Sequence, residues 1–198
     1  MIEDISKFHA NDVQPFLDSL SSIYADMDRE YSKVAAYYSF DCAACQDICC
    51  QTRFYHHTYL EYLFILEGFK AQSPNGQAEI KARALNLIQQ DAELDKNGTP
   101  VRRMCPLNVE KLCILYPHRP MICRLHGIPH EFQKGTGNRV LGPGCETFDS
   151  MCVEKRYLTF DRTSFYRDMA VLENQLRQAL GITDKIKMTI AEMLSSFR

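Results

Sequence analysis

The sequence predicts a mostly α fold: one domain over residues 1–198, of about five helices, with a loop-rich and cysteine-rich lobe built into it. Three observations carry that reading. Apolar residues recur at steps of three and four in separate stretches, the mark of amphipathic helices. Residues 99–150 are instead dense in proline, glycine and cysteine and sustain no helical period beyond a turn or two. Hydrophobic residues make up 45% and charged residues 24% of the 198 positions, a globular composition with enough chain to bury an ordinary core without cross-links.

The first helix is expected over residues 11–40. Val13, Leu17, Leu20, Tyr24, Met27, Tyr31, Val34 and Tyr38 fall on one stripe, Asn11 and Gln14 suit its start, and Pro15 is compatible with a first turn. Thr58 and Glu61 have capping-box spacing ahead of the nearly all-apolar YLFILEGF, which predicts a central second helix stopped by Gly68. Ser73 and Pro74 open a third helix, running to about Lys96. Its two apolar rows are Ile80, Ala84, Leu87 and Leu85, Ile88, Ala92, and Asn97, Gly98 and Pro100 end it. After the loop-rich stretch, residues 161–198 form a helical pair. Phe165, Met169, Leu172, Leu176 and Ala179 line the first, which stops at Gly181; Thr183 caps a second bearing Ile186, Ile190 and Met193.

The opening MIEDISKFHA has neither a basic nor an apolar run, and nowhere do roughly 18 apolar residues follow one another, so the expected setting is cytoplasmic with no membrane partner. A net charge of −2 with dispersed lysines and arginines argues against nucleic acid as a partner. No phosphate-binding glycine loop, nucleophile elbow or His-Glu-x-x-His helix is present. In a reducing compartment nine cysteines, an odd number, read as metal ligands or redox groups before disulfides.

Their spacing sharpens this. Cys42 and Cys45 form a Cys-x-x-Cys step, which delivers two sulfurs to one ion from a single turn. Cys49 follows by four residues, and Cys50 is turned from it by about 100° if the segment is helical. A second group comprises Cys105, Cys113 and Cys123, with Cys145 following in GPGC, where glycines let backbone amides approach sulfur. Cys42, Cys45, Cys49, Cys105, Cys113 and Cys123 are the leading ligands, with Cys50 and Cys145 next. Arg119 and Arg124 stand in sequence where they can compensate a set of thiolates or simply bond loop carbonyls. His126, three after Cys123, is the best histidine candidate; His56 and His57 read as leading into the second helix; Cys152 reads as an ordinary buried thiol.

The run Cys42-x-x-Cys45-x-x-x-Cys49-Cys50, followed by Cys105-Pro106 and by Cys113-Ile-Leu-Tyr116-x-x-Arg119-Pro120-x-x-Cys123-Arg124, resembles the YkgJ-type cysteine-cluster family. The resemblance covers roughly residues 42–124 and implies a metal site chelating zinc or iron. The long first helix and the last two lie outside it.

Four-sulfur sites suit Zn2+ and iron-sulfur clusters alike, and the spacing matches no standard ferredoxin pattern, so zinc is the expected cofactor with iron or an iron-sulfur cluster as the alternative. Three functions follow. In a binding protein, metal ties the segment 42–150 to the helices and serves a structural or metal-handling role, with the metal ion as partner. In an enzyme, an open cluster carries out redox chemistry or protein modification beside a cavity lined by Tyr55, Tyr116, His118 and Arg124. Thiol–disulfide exchange at Cys42 and Cys45 lacks the expected strand and helix pattern.

Overall fold

A computed structural model describes residues 9–41, 49–95, 102–135, 137–152 and 155–197. The protein is mostly helical. Among the described residues seven α-helices follow in order: α1 (Ala10–Tyr38), α2 (Tyr59–Lys70), α3 (Pro74–Asp95), α4 (Met121–Leu125), α5 (Glu146–Met151), α6 (Thr163–Leu180) and α7 (Ile190–Ser196). Two antiparallel hairpins complete the fold, β1 (Asn108–Val109) with β2 (Leu112–Cys113) and β3 (His130–Lys134) with β4 (Asn138–Gly142). The five expected helices are all present, and α4 and α5 are additions within the cysteine-rich stretch.

The stripe of α1 is buried as its period requires, Tyr31 alone remaining half-exposed so that its hydroxyl donates to the His126 carbonyl at 2.8 Å. The helix starts earlier than expected, with His9 as N-cap, and Gln14 bonds Asp18 rather than capping. Pro15 therefore falls in the second turn, where it removes an interior amide. Ser39, with φ of 53°, ends α1 in the left-handed conformation.

Helix α2 is apolar on every side and is buried on nearly every side, from Tyr59 to Phe69. Thr58 accepts the Glu61 amide at 3.2 Å, as the capping spacing requires. Gly68 does not stop this helix. It lies inside it, where the His118 ring packs so closely that an added Cβ would stand 2.6 Å from His118 Cγ. The glycine admits a neighbour instead of ending a helix.

In α3 the first apolar row turns inward, with Ile80 and Ala84 buried and Leu87 packed on the core; of the second row only Ile88 packs on the core, while Leu85 and Ala92 face solvent. That inner row lies against α7. Helix α6 buries Phe165, Met169, Leu172 and Leu176 and stops at Gly181, whose φ of +67° suits glycine. Ala179 is exposed, and Leu180 packs on the core in its place. Thr183 caps nothing; α7 begins later, behind a full Thr189–Glu192 capping box. Ile186 is buried in the preceding stretch, and Met188 forms an isolated bridge with His56. Helix α1 packs on α6, α4 and α2 and so joins the helical body to the cysteine-rich stretch. Among the described residues no helix is long and apolar enough to cross a membrane.

Candidate metal centre

Cys50 lies in a single 3-10 turn, Cys49–Gln51, which follows α1 after an interval outside the described residues. Its carbonyl accepts the Cys105 amide at 2.8 Å, so the first cysteine run is joined to the second through the backbone. Cys105 in turn accepts the Asn108 amide at 2.9 Å, a turn that opens the β1–β2 hairpin. There Asn108 pairs with Cys113, and the tip holds Glu110 and Lys111 at φ of 51° and 69°, left-handed positions usually given to Asn and Gly. Cys123 is the third residue of α4. Cys42, Cys45 and the Cys49 side chain, three of the leading ligands, lie outside the described residues.

The thiols of Cys50, Cys105, Cys113 and Cys123 form one electrostatic group. Burial pushes the Cys105 thiol up to about 12, the Leu107 amide draws it back, and the charges of Cys50 and Cys113 raise it further. Cys113 is raised first by burial and then by Cys50, against the Leu115 amide and Arg119. Cys123 is raised by burial and then by Cys105, Cys50, Cys113 and Glu61. Cys105 and Cys113 thus share a local arrangement: each sulfur receives a backbone amide from the residue two positions on. Such amides stabilise a thiolate, and four like charges crowded in a half-buried place repel unless a cation lies among them. Among the described residues no three His, Cys, Asp or Glu side chains already stand at metal-holding distances.

The two arginines separate. Arg119 lies over the Tyr116 ring at 3.5 Å, and its charge favours the Cys113 thiolate. Arg124 is buried and turned elsewhere, pairing with Asp28 at 2.5 Å, donating to the Arg119 and Pro117 carbonyls and lying on the Tyr24 ring at 4.3 Å. Its charge serves the junction with α1. Cys145 stands apart from the four thiols: its sulfur caps α5 by accepting the Phe148 amide at 3.4 Å, and the thiol it influences is Cys152. Cys152 is buried and directed at the Tyr38 carbonyl, 3.8 Å away. His126 stands edge-on to Phe54, 5.4 Å between ring centres.

Of the four residues expected to line one cavity, Arg124 reaches the Pro117 carbonyl between Tyr116 and His118. Tyr55 lies beneath Lys187, Tyr116 beneath Arg119, His118 against Phe64 and Gly68, and Arg124 against Tyr24. A cavity of about 290 Å³ does reach Cys105, lined also by Arg83, Asn86, Gln90 and Asn108.

Sequence reasoning gave Glu61 only a capping role and favoured His56 as a lead into α2, and so missed their pairing. Both are buried, at 6% and 2% exposure, with His56 Nδ1 3.7 Å from Glu61 Oε1. Glu61 does more than serve its own helix: Oε1 accepts the Met121 amide at 3.1 Å and Oε2 accepts the Thr58 hydroxyl at 2.8 Å. Burial raises its carboxyl, yet the His56 side chain, the Thr58 hydroxyl and the Met121 amide together hold it below the usual carboxylate range. The available signal was a glutamate at the head of a helix whose every other face is apolar. Comparison with family models, with curated proteins and with solved structures yields no match for this chain.

Proposed function

We propose that this protein is a metal-binding cysteine-cluster protein that holds zinc, or alternatively iron or an iron-sulfur cluster, through thiolates of its two cysteine runs. The observation that carries the reading is the 2.8 Å bond between the Cys105 amide and the Cys50 carbonyl, with Cys113 across the hairpin that Cys105 opens. It brings together stretches more than fifty residues apart in sequence. The donor chemistry fits: soft sulfurs in a half-buried place, two of them served by backbone amides and one faced by Arg119. Cys50, Cys105, Cys113 and Cys123 would hold the cation, with Cys42, Cys45 and Cys49 as further donors. The resemblance to the YkgJ-type family supports the same assignment. A bound cation would neutralise the thiolates and tie the 3-10 turn, the hairpin and α4 together, a structural or metal-handling role.

Anaerobic purification followed by elemental analysis and a visible spectrum tests this. Zinc near one equivalent or more in a colourless protein supports the first form, and a brown protein with iron and sulfide the second. Cys113→Ser is expected to lower the metal content of either. A chain free of both metals, unable to take up zinc or to accept a reconstituted cluster, overturns the proposal.

A further inference from the structure

Helix α4 carries Cys123 but has only five residues, too few to hold a helical conformation by itself. Its N-cap is Pro120, which offers no side-chain acceptor, and three of its tethers come from the helical body. At the C-terminal end the Arg162 guanidinium, itself buried, donates to the Leu125 and Ile128 carbonyls. At the flank Arg124 pairs with Asp28 of α1. At the N-terminal end the first amide, that of Met121, is taken by Glu61 of α2 at 3.1 Å. Glu61 thus does for α4 what a cap residue does for its own helix, from sixty residues away.

Its own position is over-determined. The Thr58 hydroxyl holds Oε2, and His56 stands against Oε1. His56 is fixed in turn by two backbone bonds to Met188, of 2.7 and 3.0 Å. Thr58, His56 and Met188 therefore locate one carboxylate, and that carboxylate locates the start of the helix bearing Cys123. We propose that Glu61 is the positioning residue of the thiol site, fixing where Cys123 stands relative to Cys50, Cys105 and Cys113 by gripping the first amide of α4. This rests on the metal-binding reading above. Glu61 acts through α4; it is not itself a ligand.

The test uses cobalt(II) in the full chain under anaerobic conditions, because sulfur-to-cobalt charge-transfer absorption grows with the number of bound thiolates. Wild type, Cys123→Ser, Glu61→Gln, Glu61→Leu and the Glu61→Leu, Cys123→Ser double variant are compared by spectrum and by chelator competition. Glu61→Leu is expected to fall to the spectrum of Cys123→Ser and to lose roughly 10- to 100-fold in cobalt affinity, the usual cost of removing a supporting group behind a ligand. The double variant is expected to lose no more. Glu61→Gln, which keeps an acceptor for the Met121 amide, is expected to restore the wild-type spectrum; a merely structural loss would show no such selective effect on one thiolate.

Should Glu61→Leu lack the helical circular dichroism of the wild type, Met121→Pro removes the same bond from the donor side. Proline is tolerated at a first helical position, so it carries the same expectation. A folded Glu61→Leu or Met121→Pro protein with the wild-type spectrum and affinity overturns the proposal, as does a Glu61→Gln protein as impaired as Glu61→Leu. Wild type that takes up no cobalt overturns the metal reading and this inference together. Wild type that binds cobalt, with only the Glu61 expectations failing, overturns this inference alone.

Discussion

The helical body and the cysteine-rich stretch between α3 and α6 share one core but are held by different mixtures of forces. The body is an apolar assembly in which Leu20, Met27, Leu60, Ile65, Leu176 and Leu194 have no exposed surface. The stretch from Arg102 to Cys152 includes buried apolar residues too, among them Leu115, Leu125 and Ile128. These belong to one apolar core with the body, and polar tethers are added at the junction: Glu61 to Met121, Asp28 to Arg124, Arg162 to Leu125, Arg83 to Pro106 and Tyr31 to His126. Apolar burial is additive and non-directional, so many residues share the load. A polar tether is directional, and losing one partner strands the other in a buried place.

The comparison can be broken most directly in the body. Leu60→Ala is expected to destabilise the whole protein by about 2–5 kcal/mol, read as a shifted midpoint in urea unfolding followed by circular dichroism. A loss confined to residues 102–152 would show that the two regions do not share one core.

The seam between them is probed at Gly68. Gly68→Ala gains up to about 1 kcal/mol of helix propensity but drives a methyl into the His118 ring, so a net loss of about 1–3 kcal/mol is expected in the same measurement. A more stable variant would mean that the ring moves freely aside.

The thiols give the stretch its own pH dependence. In the metal-free protein the folded thiols of Cys105 and Cys123 titrate above their unfolded values, so their contribution is complete below the unfolded range near pH 8.5. It is lost as pH rises toward the folded value, because the unfolded chain releases these protons first. The expected slope is about 1.4 kcal/mol per pH unit for each such thiol in that window, seen as a falling urea midpoint between pH 8.5 and 10.5. Zinc-loaded protein is expected to lack this slope, since bound thiolates carry no proton to lose.

The smallest effect lies at the edge of the body. Thr189→Ala removes one half of the capping box of α7 and is expected to cost about 1 kcal/mol. Amide hydrogen exchange is expected to quicken in α7 while residues 105–125 keep their wild-type rates.

Much of the body was legible in the sequence because helical period is a local property. The α1 stripe, the Thr58 cap, the Ser73–Pro74 start and the Gly181 stop follow from a few adjacent residues each. The errors share a cause. Gly68 and Thr183 were read by residue type alone, yet a glycine that admits a distant ring has the same local sequence as one that ends a helix. The Thr189–Glu192 box was present in the sequence and was passed over for the earlier threonine. In the candidate site, spacing singled out Cys105, Cys113 and Cys123, but spacing does not reveal that the Cys50 carbonyl accepts the Cys105 amide or that the Cys145 sulfur caps α5.

By itself, then, the sequence determined the five expected helices, the stretch that forms no long helix, and the sulfur atoms available for chemistry. Tertiary structure alone decided that Glu61 reaches α4, that Arg124 spends its charge on Asp28, and that Cys50 meets Cys105. Periodicity and caps are set within a turn or two of chain. A buried charge takes its partner from whatever the fold brings within reach, and no local pattern encodes that choice.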